Sequence, residues 1–139
     1  MGAYPVSIEP DARRRALAKG VESAGQERFD VCVVAVGARQ PYLEALDSLA
    51  PRGCVVVFSG LSPVEETASV NLNHLHYLEQ KIVGAYGCCY RHGIAALDFL
   101  AKGSVPVEDM ISHRMSLNDL DVALKIVETR GGMKVLLYP

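Results

Sequence analysis

The side chains that could do more than pack are few, and their spacing argues against most chemistry. The four histidines are His74, His76, His92 and His113. On a helix, His74 and His76 point to different faces, which makes them poor joint metal ligands. His92 and His113 have no cysteine or aspartate partner close in sequence. The four cysteines are Cys32, Cys54, Cys88 and Cys89. They form no CxxC, and two of them lie inside apolar runs, the pattern of buried free thiols in a reducing compartment. Cys88 and Cys89 are adjacent, unsuited to joint chelation or an ordinary disulfide, and are expected to pack. Glu65 and Glu66 form a loop charge pair without an acid–base partner. Tyr42, Tyr77 and Tyr90 have no lysine at the spacing of a Tyr–Lys proton relay. The residue types therefore predict no catalytic group and no metal site.

What remains is backbone chemistry at strand ends, and the strands must position it. The runs FDVCVVAVG (29–37) and CVVVFSG (54–60) are short, β-branched and closed by glycine, with a predicted helix over 41–50 between them. Leu43, Leu46 and Leu49 mark the buried stripe of that helix, and Pro51-Arg52-Gly53 is expected to end it. Continuous apolar strands suit a parallel sheet covered on both faces. A helix over 71–80 and a strand over 81–87 continue the alternation. A helix over 92–102 follows, with Ile94, Leu97 and Leu100 inward. A strand over 110–115 leads into a helix with a capping-box start at 116–119 and an apolar face of Leu120, Ala123, Leu124 and Val127. A strand over 133–138 closes the chain. Ahead of all this, 4–8 reads as a short edge strand, and Asp11 as the N-cap of a helix bearing Leu17, Val21 and Ala24 and ended by Gly25.

This alternation predicts an α/β fold with a parallel sheet. Ligands of such sheets bind at the loops after the carboxyl ends of the strands. Here those loops begin at Gly37, Gly60 and Gly87, where glycine lets backbone approach a ligand. The same glycines are equally what a chain needs simply to turn, and both readings stand at this point.

Composition narrows the class. Half the residues are apolar, 22% are charged and the net charge is −2. That is a globular composition with nothing to attract nucleic acid or an anionic membrane. The basic cluster Arg13-Arg14-Arg15 fans around a helix as a solvated face. No apolar run reaches the ~20 residues of a bilayer span. The first five residues carry neither a signal-peptide pattern nor a myristoylation signal, so a cytoplasmic protein is expected.

The ordered series FDVCVVAVG, ALDSLAPRGCVVVFSG, HYLEQKIVGAYG, ALDFLAKG, MISHRMSLNDLDVALKIVE and MKVLLYP resembles the medium-chain dehydrogenase/reductase family of zinc-type alcohol, polyol, sorbitol and threonine dehydrogenases. The likeness is to the family's C-terminal part. The family's zinc ligands, four-cysteine lobe, first Rossmann strand, G-x-G-x-x-G turn and ribose-binding acid have no counterpart in these residues. The resemblance implies residues 1–90 as a partial nucleotide-binding domain without its first βαβ unit, and residues 91–139 as a segment that in the family joins the catalytic domain. It implies that Val36, Gly37 and Ala38 line the adenosine side of NAD or NADP and that Ser59, Gly60 and Leu61 sit by the nicotinamide ribose. Ala85, Tyr86 and Gly87 would offer backbone groups to the carboxamide, and Lys134 would lie near the pyrophosphate. The parent reaction would be hydride transfer between an alcohol or polyol substrate and nicotinamide, with zinc held outside this chain. The resemblance also implies a homo-oligomer through the sheet edge at 81–86. In the family, strand order is 3-2-1-4-5-6 with 4–8 as strand 3 and 30–36 as strand 4, so Val31 to Val36 is expected to form an exposed apolar edge. The two strands of 92–139 are expected to need another partner or to stay poorly ordered. The alternative is a noncatalytic half-dehydrogenase acting as a dimerisation or partner-binding module.

Overall fold

The computed structural model describes residues 2–17, 28–61 and 67–139. Along the chain run α1 (Ala12–Leu17), β1 (Phe29–Val34), α2 (Arg39–Asp47), β2 (Leu49–Val57), α3 (Leu72–Tyr77), β3 (Lys81–Gly84), α4 (Tyr90–Ala101), β4 (Ile111–Ser116), α5 (Leu120–Glu128) and β5 (Lys134–Tyr138). They divide into two compact units, one of residues 23–87 and one of residues 1–22 with 88–139.

The first unit is strand, helix, strand, helix, strand. All pairs are parallel, in the order β1-β2-β3. The β-branched runs make the strands, and β2 takes the central place. The predicted boundary between helix and second strand moves. Leu49, expected on the helix stripe, opens β2 and is 1% exposed. The residues expected to turn the chain, Pro51-Arg52-Gly53, lie inside β2 as an irregular stretch. There the register steps from Phe29 opposite Leu49 to Val31 opposite Cys54. Arg52 absorbs this bulge at φ 65. Gly53 has no room for a side chain, since a Cβ would meet the Ala50 carbonyl oxygen at 2.8 Å.

One face of this sheet is packed and the other is not. Val34, Tyr42, Ala45, Leu49 and Val55 form the core, with α2 lying over β1 and β2. On the opposite face Val31 and Val33 are 58% and 59% exposed. Coverage on both faces was the expectation for such apolar strands, and among the described residues α2 covers only one. Strand β1 is an edge here, pairing only with β2 among the described residues. The apolar edge implied by the family's strand order is therefore present.

In the second unit, Asp11 caps α1 through its carboxylate, which accepts from the Arg13 and Arg14 N–H groups at 2.9 and 3.0 Å. The rest of that predicted helix, with Val21, Ala24 and Gly25, lies outside the described residues. Of the strand expected over 4–8, only Val6 makes a bridge, and Tyr4 and Ile8 are exposed. Strands β4 and β5 pair with each other in parallel around α5. They thus find in one another the partner they were expected to lack. The faces expected to be buried are largely open. Ile94, Leu97 and Leu100 of α4 are exposed, and of the α5 stripe only Ala123 is buried. No described helix is long and apolar enough to cross a membrane.

Candidate functional site

Parallel pairing brings the carboxyl ends of β1, β2 and β3 side by side, with the three glycine-bearing loops above them. Val36, Gly37 and Ala38 follow β1. Ser59, Gly60 and Leu61 follow β2. Ala85, Tyr86 and Gly87 follow β3. The ladder continues into the loops: the Ser59 N–H donates to the Val34 carbonyl at 3.1 Å and the Ala85 N–H to the Val57 carbonyl at 3.0 Å. Ala85 therefore has its carbonyl, not its N–H, to offer a ligand.

The loops are bare backbone in close contact. A Cβ on Gly37 would lie 2.7 Å from the Gly60 carbonyl oxygen, so the two loops touch through glycine. At Gly60, Gly84 and Gly87 a Cβ would meet nothing within 4 Å. Gly87 sits at φ +61, a conformation that glycine adopts without strain. Exposed glycine backbone at the ends of parallel strands suits one side of a dinucleotide. Lys134 opens β5 in the other unit and is exposed; its carbonyl accepts from the Ser112 hydroxyl at 3.1 Å.

Tyr42 is the residue that sequence reasoning weighed for the wrong chemistry. It stands in the first turns of α2, 6% exposed, and its hydroxyl donates to the Ser59 carbonyl. The signal was available in the helical spacing of Tyr42, Ala45 and Leu46, which aims the ring at the sheet.

The remaining candidates are dispersed. His74 and His76 sit on α3, where the His76 ring meets Tyr77 edge-on at 4.8 Å between centroids. Among the described residues no three of His, Cys, Asp and Glu are placed to hold a metal ion, so these residues do not fit a zinc site. All four cysteines are free. Cys32 and Cys54 are half-buried, and burial pushes the Cys32 thiol up. Cys88 and Cys89 are both exposed, which corrects the packing role expected for them. The first turn of α4 explains the chemistry of Cys89. The His92 N–H, then the N–H and guanidinium of Arg91, hold its thiol below the usual range without a capping hydrogen bond. Glu65 and Glu66 lie outside the described residues.

At the amino ends of the strands, a cavity of about 310 Å³ is lined by Arg28, Leu46, Leu49, His74 and Gln80, among others. Two of its polar side chains already serve the fold. Arg28 donates to the carbonyls of Asp47 and Leu49, and the Gln80 amide donates to those of Leu49 and Ala50 at 3.3 and 3.4 Å.

No protein-family model and no curated protein matches the sequence. Solved structures do. An alcohol dehydrogenase from Thermotoga maritima superposes with a TM-score of 0.76 at 19% identity, covering 96% of this chain and 42% of its own. The 2R,3R-butanediol dehydrogenase of Bacillus subtilis gives 0.77 at 17% identity, with 96% and 42% covered. An Escherichia coli alcohol dehydrogenase in complex with NADH gives 0.70 at 20% identity, with 81% and 33% covered. This chain thus has the Rossmann-like α/β fold of these alcohol and butanediol dehydrogenases, over a stretch that spans 33–42% of their length.

Proposed function

We propose that this chain supplies the nicotinamide side of the dinucleotide cleft of an NAD(P)-dependent alcohol or polyol dehydrogenase. In this reading residues 1–90 are part of a nucleotide-binding domain, and residues 91–139 belong with a catalytic domain. The observation that carries it is the juxtaposition of bare glycine loops at the carboxyl ends of three parallel strands, with Gly37 seated against Gly60. Ligands of open α/β sheets sit at such ends. Val36, Gly37 and Ala38 then face the adenosine side, and Ser59, Gly60 and Leu61 the nicotinamide ribose. The Ala85 carbonyl, with the backbone of Tyr86 and Gly87, orients the carboxamide, and Lys134 offsets pyrophosphate charge. The bound nucleotide would accept or donate the hydride, and these residues bind and orient it. The zinc of the proposed parent reaction would be held by other residues.

In this reading the catalytic groups are supplied by other residues, so the chain is expected to be inactive by itself. Turnover of secondary alcohols by the purified chain would overturn that. Calorimetry with NAD and NADP tests the nucleotide reading directly: weak binding that is lost in Gly37→Ala supports it, and no binding sinks it. The exposed edge at Lys81 to Tyr86 pairs two copies across a two-fold axis in this reading, in a cytoplasmic protein with reduced cysteines. Sedimentation of an Ile82→Pro variant as a monomer, against a dimeric parent, checks the pairing.

A further inference from the structure

The turn after β2 is held from two sides by its carbonyl groups. The Ser59 carbonyl accepts from the buried Tyr42 hydroxyl. The next carbonyl, Gly60, abuts Gly37 so closely that a Cβ there would lie 2.7 Å from its oxygen. No peptide bond in the described chain is cis. In a trans peptide the N–H points opposite to the C=O. The N–H of Gly60 is therefore turned away from α2, and the N–H of Leu61 away from the Gly37 loop. The Ser59 N–H is tied to the Val34 carbonyl at 3.1 Å, and the Leu61 side chain packs against the core. Both ends of the turn are thus anchored.

We infer that Tyr42 is a positioning residue. By drawing the Ser59 carbonyl into α2, it sets the Gly60 and Leu61 N–H groups as an outward pair of donors for an acceptor oxygen of a bound nucleotide. The ligand in this inference rests on the reading of these loops as a dinucleotide cleft; the orientation of the turn does not. Two preorganised N–H donors bind an oxygen acceptor better than two that must be ordered on binding. Tyr42→Phe keeps the ring in the core and removes only the hydroxyl that holds the carbonyl.

The experiment is nuclear magnetic resonance on the isotope-labelled full chain. Without ligand, residual dipolar couplings of the Gly60 and Leu61 N–H vectors change in Tyr42→Phe. Unchanged couplings overturn the inference. With NADH as the probe, the wild-type amides of Gly60 and Leu61 shift on titration, and Tyr42→Phe binds about three- to tenfold more weakly, the scale of one hydrogen bond. Val55→Ala disturbs the same core without touching the turn and keeps wild-type affinity. Equal losses in both variants would make Tyr42 merely structural and overturn its positioning role. Changed couplings with no NADH response in the wild type support the orientation of the turn and sink the cofactor reading instead.

Discussion

Single residues carry the sharpest consequences at the strand ends. Gly37→Ala forces a Cβ against backbone, because its neighbour at 2.7 Å is the Gly60 carbonyl and not a movable side chain. A loss of about 1–3 kcal/mol is expected, read by urea denaturation. Gly60→Ala has open space around its Cβ and serves as the control from the other side of the same contact. The cysteines separate by environment. The first turn of α4 lowers the Cys89 thiol, while burial raises Cys32. Iodoacetamide at neutral pH should therefore label Cys89 first and Cys32 last, as followed by peptide mass spectrometry. The linkage signs are opposite. The folded pKa of Cys89 is depressed, so its stabilising contribution is present above the unfolded thiol pKa and lost as pH falls through the folded value. The folded pKa of Cys32 is raised, so its contribution is present below the unfolded pKa and lost as pH rises through the folded one. Equal labelling rates at the two sites would contradict both directions.

At the scale of elements, helix ends explain where sequence reading succeeded and slipped. Asn71, the first residue of the predicted 71–80 helix, is the N-cap of α3, its side chain accepting from the Asn73 and His74 N–H groups at 3.0 and 3.3 Å. Asn71→Ala should cost about 1 kcal/mol in thermal unfolding. Helices α3, α4 and α5 all end in the same paired hydrogen bonds with a left-handed residue past the cap. In α4 that residue is Gly103 at φ 63, which glycine adopts without strain. In α5 it is Arg130 at φ 53, one position before Gly131. In α3 it is Glu79 at φ 52, which also pairs with Arg52 at 2.8 Å across the bulge. Arg130→Gly should therefore raise stability by about 1 kcal/mol by relieving the left-handed strain. Glu79→Gly gains the same relief but gives up an exposed ion pair worth ~0–1 kcal/mol, so its net change is smaller. A fall in melting temperature for Arg130→Gly would show that the turn is held by contacts of the arginine and not in spite of it.

For the whole chain, the outstanding property is apolar surface. Val31 and Val33 on the edge strand, and Leu97 and Val127 on the helices, are all exposed, and few of the described residues are buried. A parallel edge that pairs on one side only among the described residues, beside such side chains, invites association. Light scattering should show that Val33→Lys reduces concentration-dependent self-association, because a charge at the edge opposes a further strand. Unaltered association would direct attention to α4 and α5.

By itself the sequence determined the order and type of nearly every element, the apolar strands and the glycine that closes each loop. These follow from local rules: β-branched runs, helical spacing and glycine at strand ends act within a few residues. It also carried the family resemblance that the superposed dehydrogenases echo in fold. Only the tertiary structure decided that Leu49 begins a strand and that β4 and β5 pair with each other. Strand neighbours are chosen by long-range hydrogen bonding, which leaves no local trace in composition or spacing. The same holds at the candidate site. Gly37, Gly60 and Gly87 were legible as turn residues, but the contact of Gly37 with Gly60 depends on parallel register. The hold of Tyr42 on Ser59 exists only because α2 folds back over the strand that follows it.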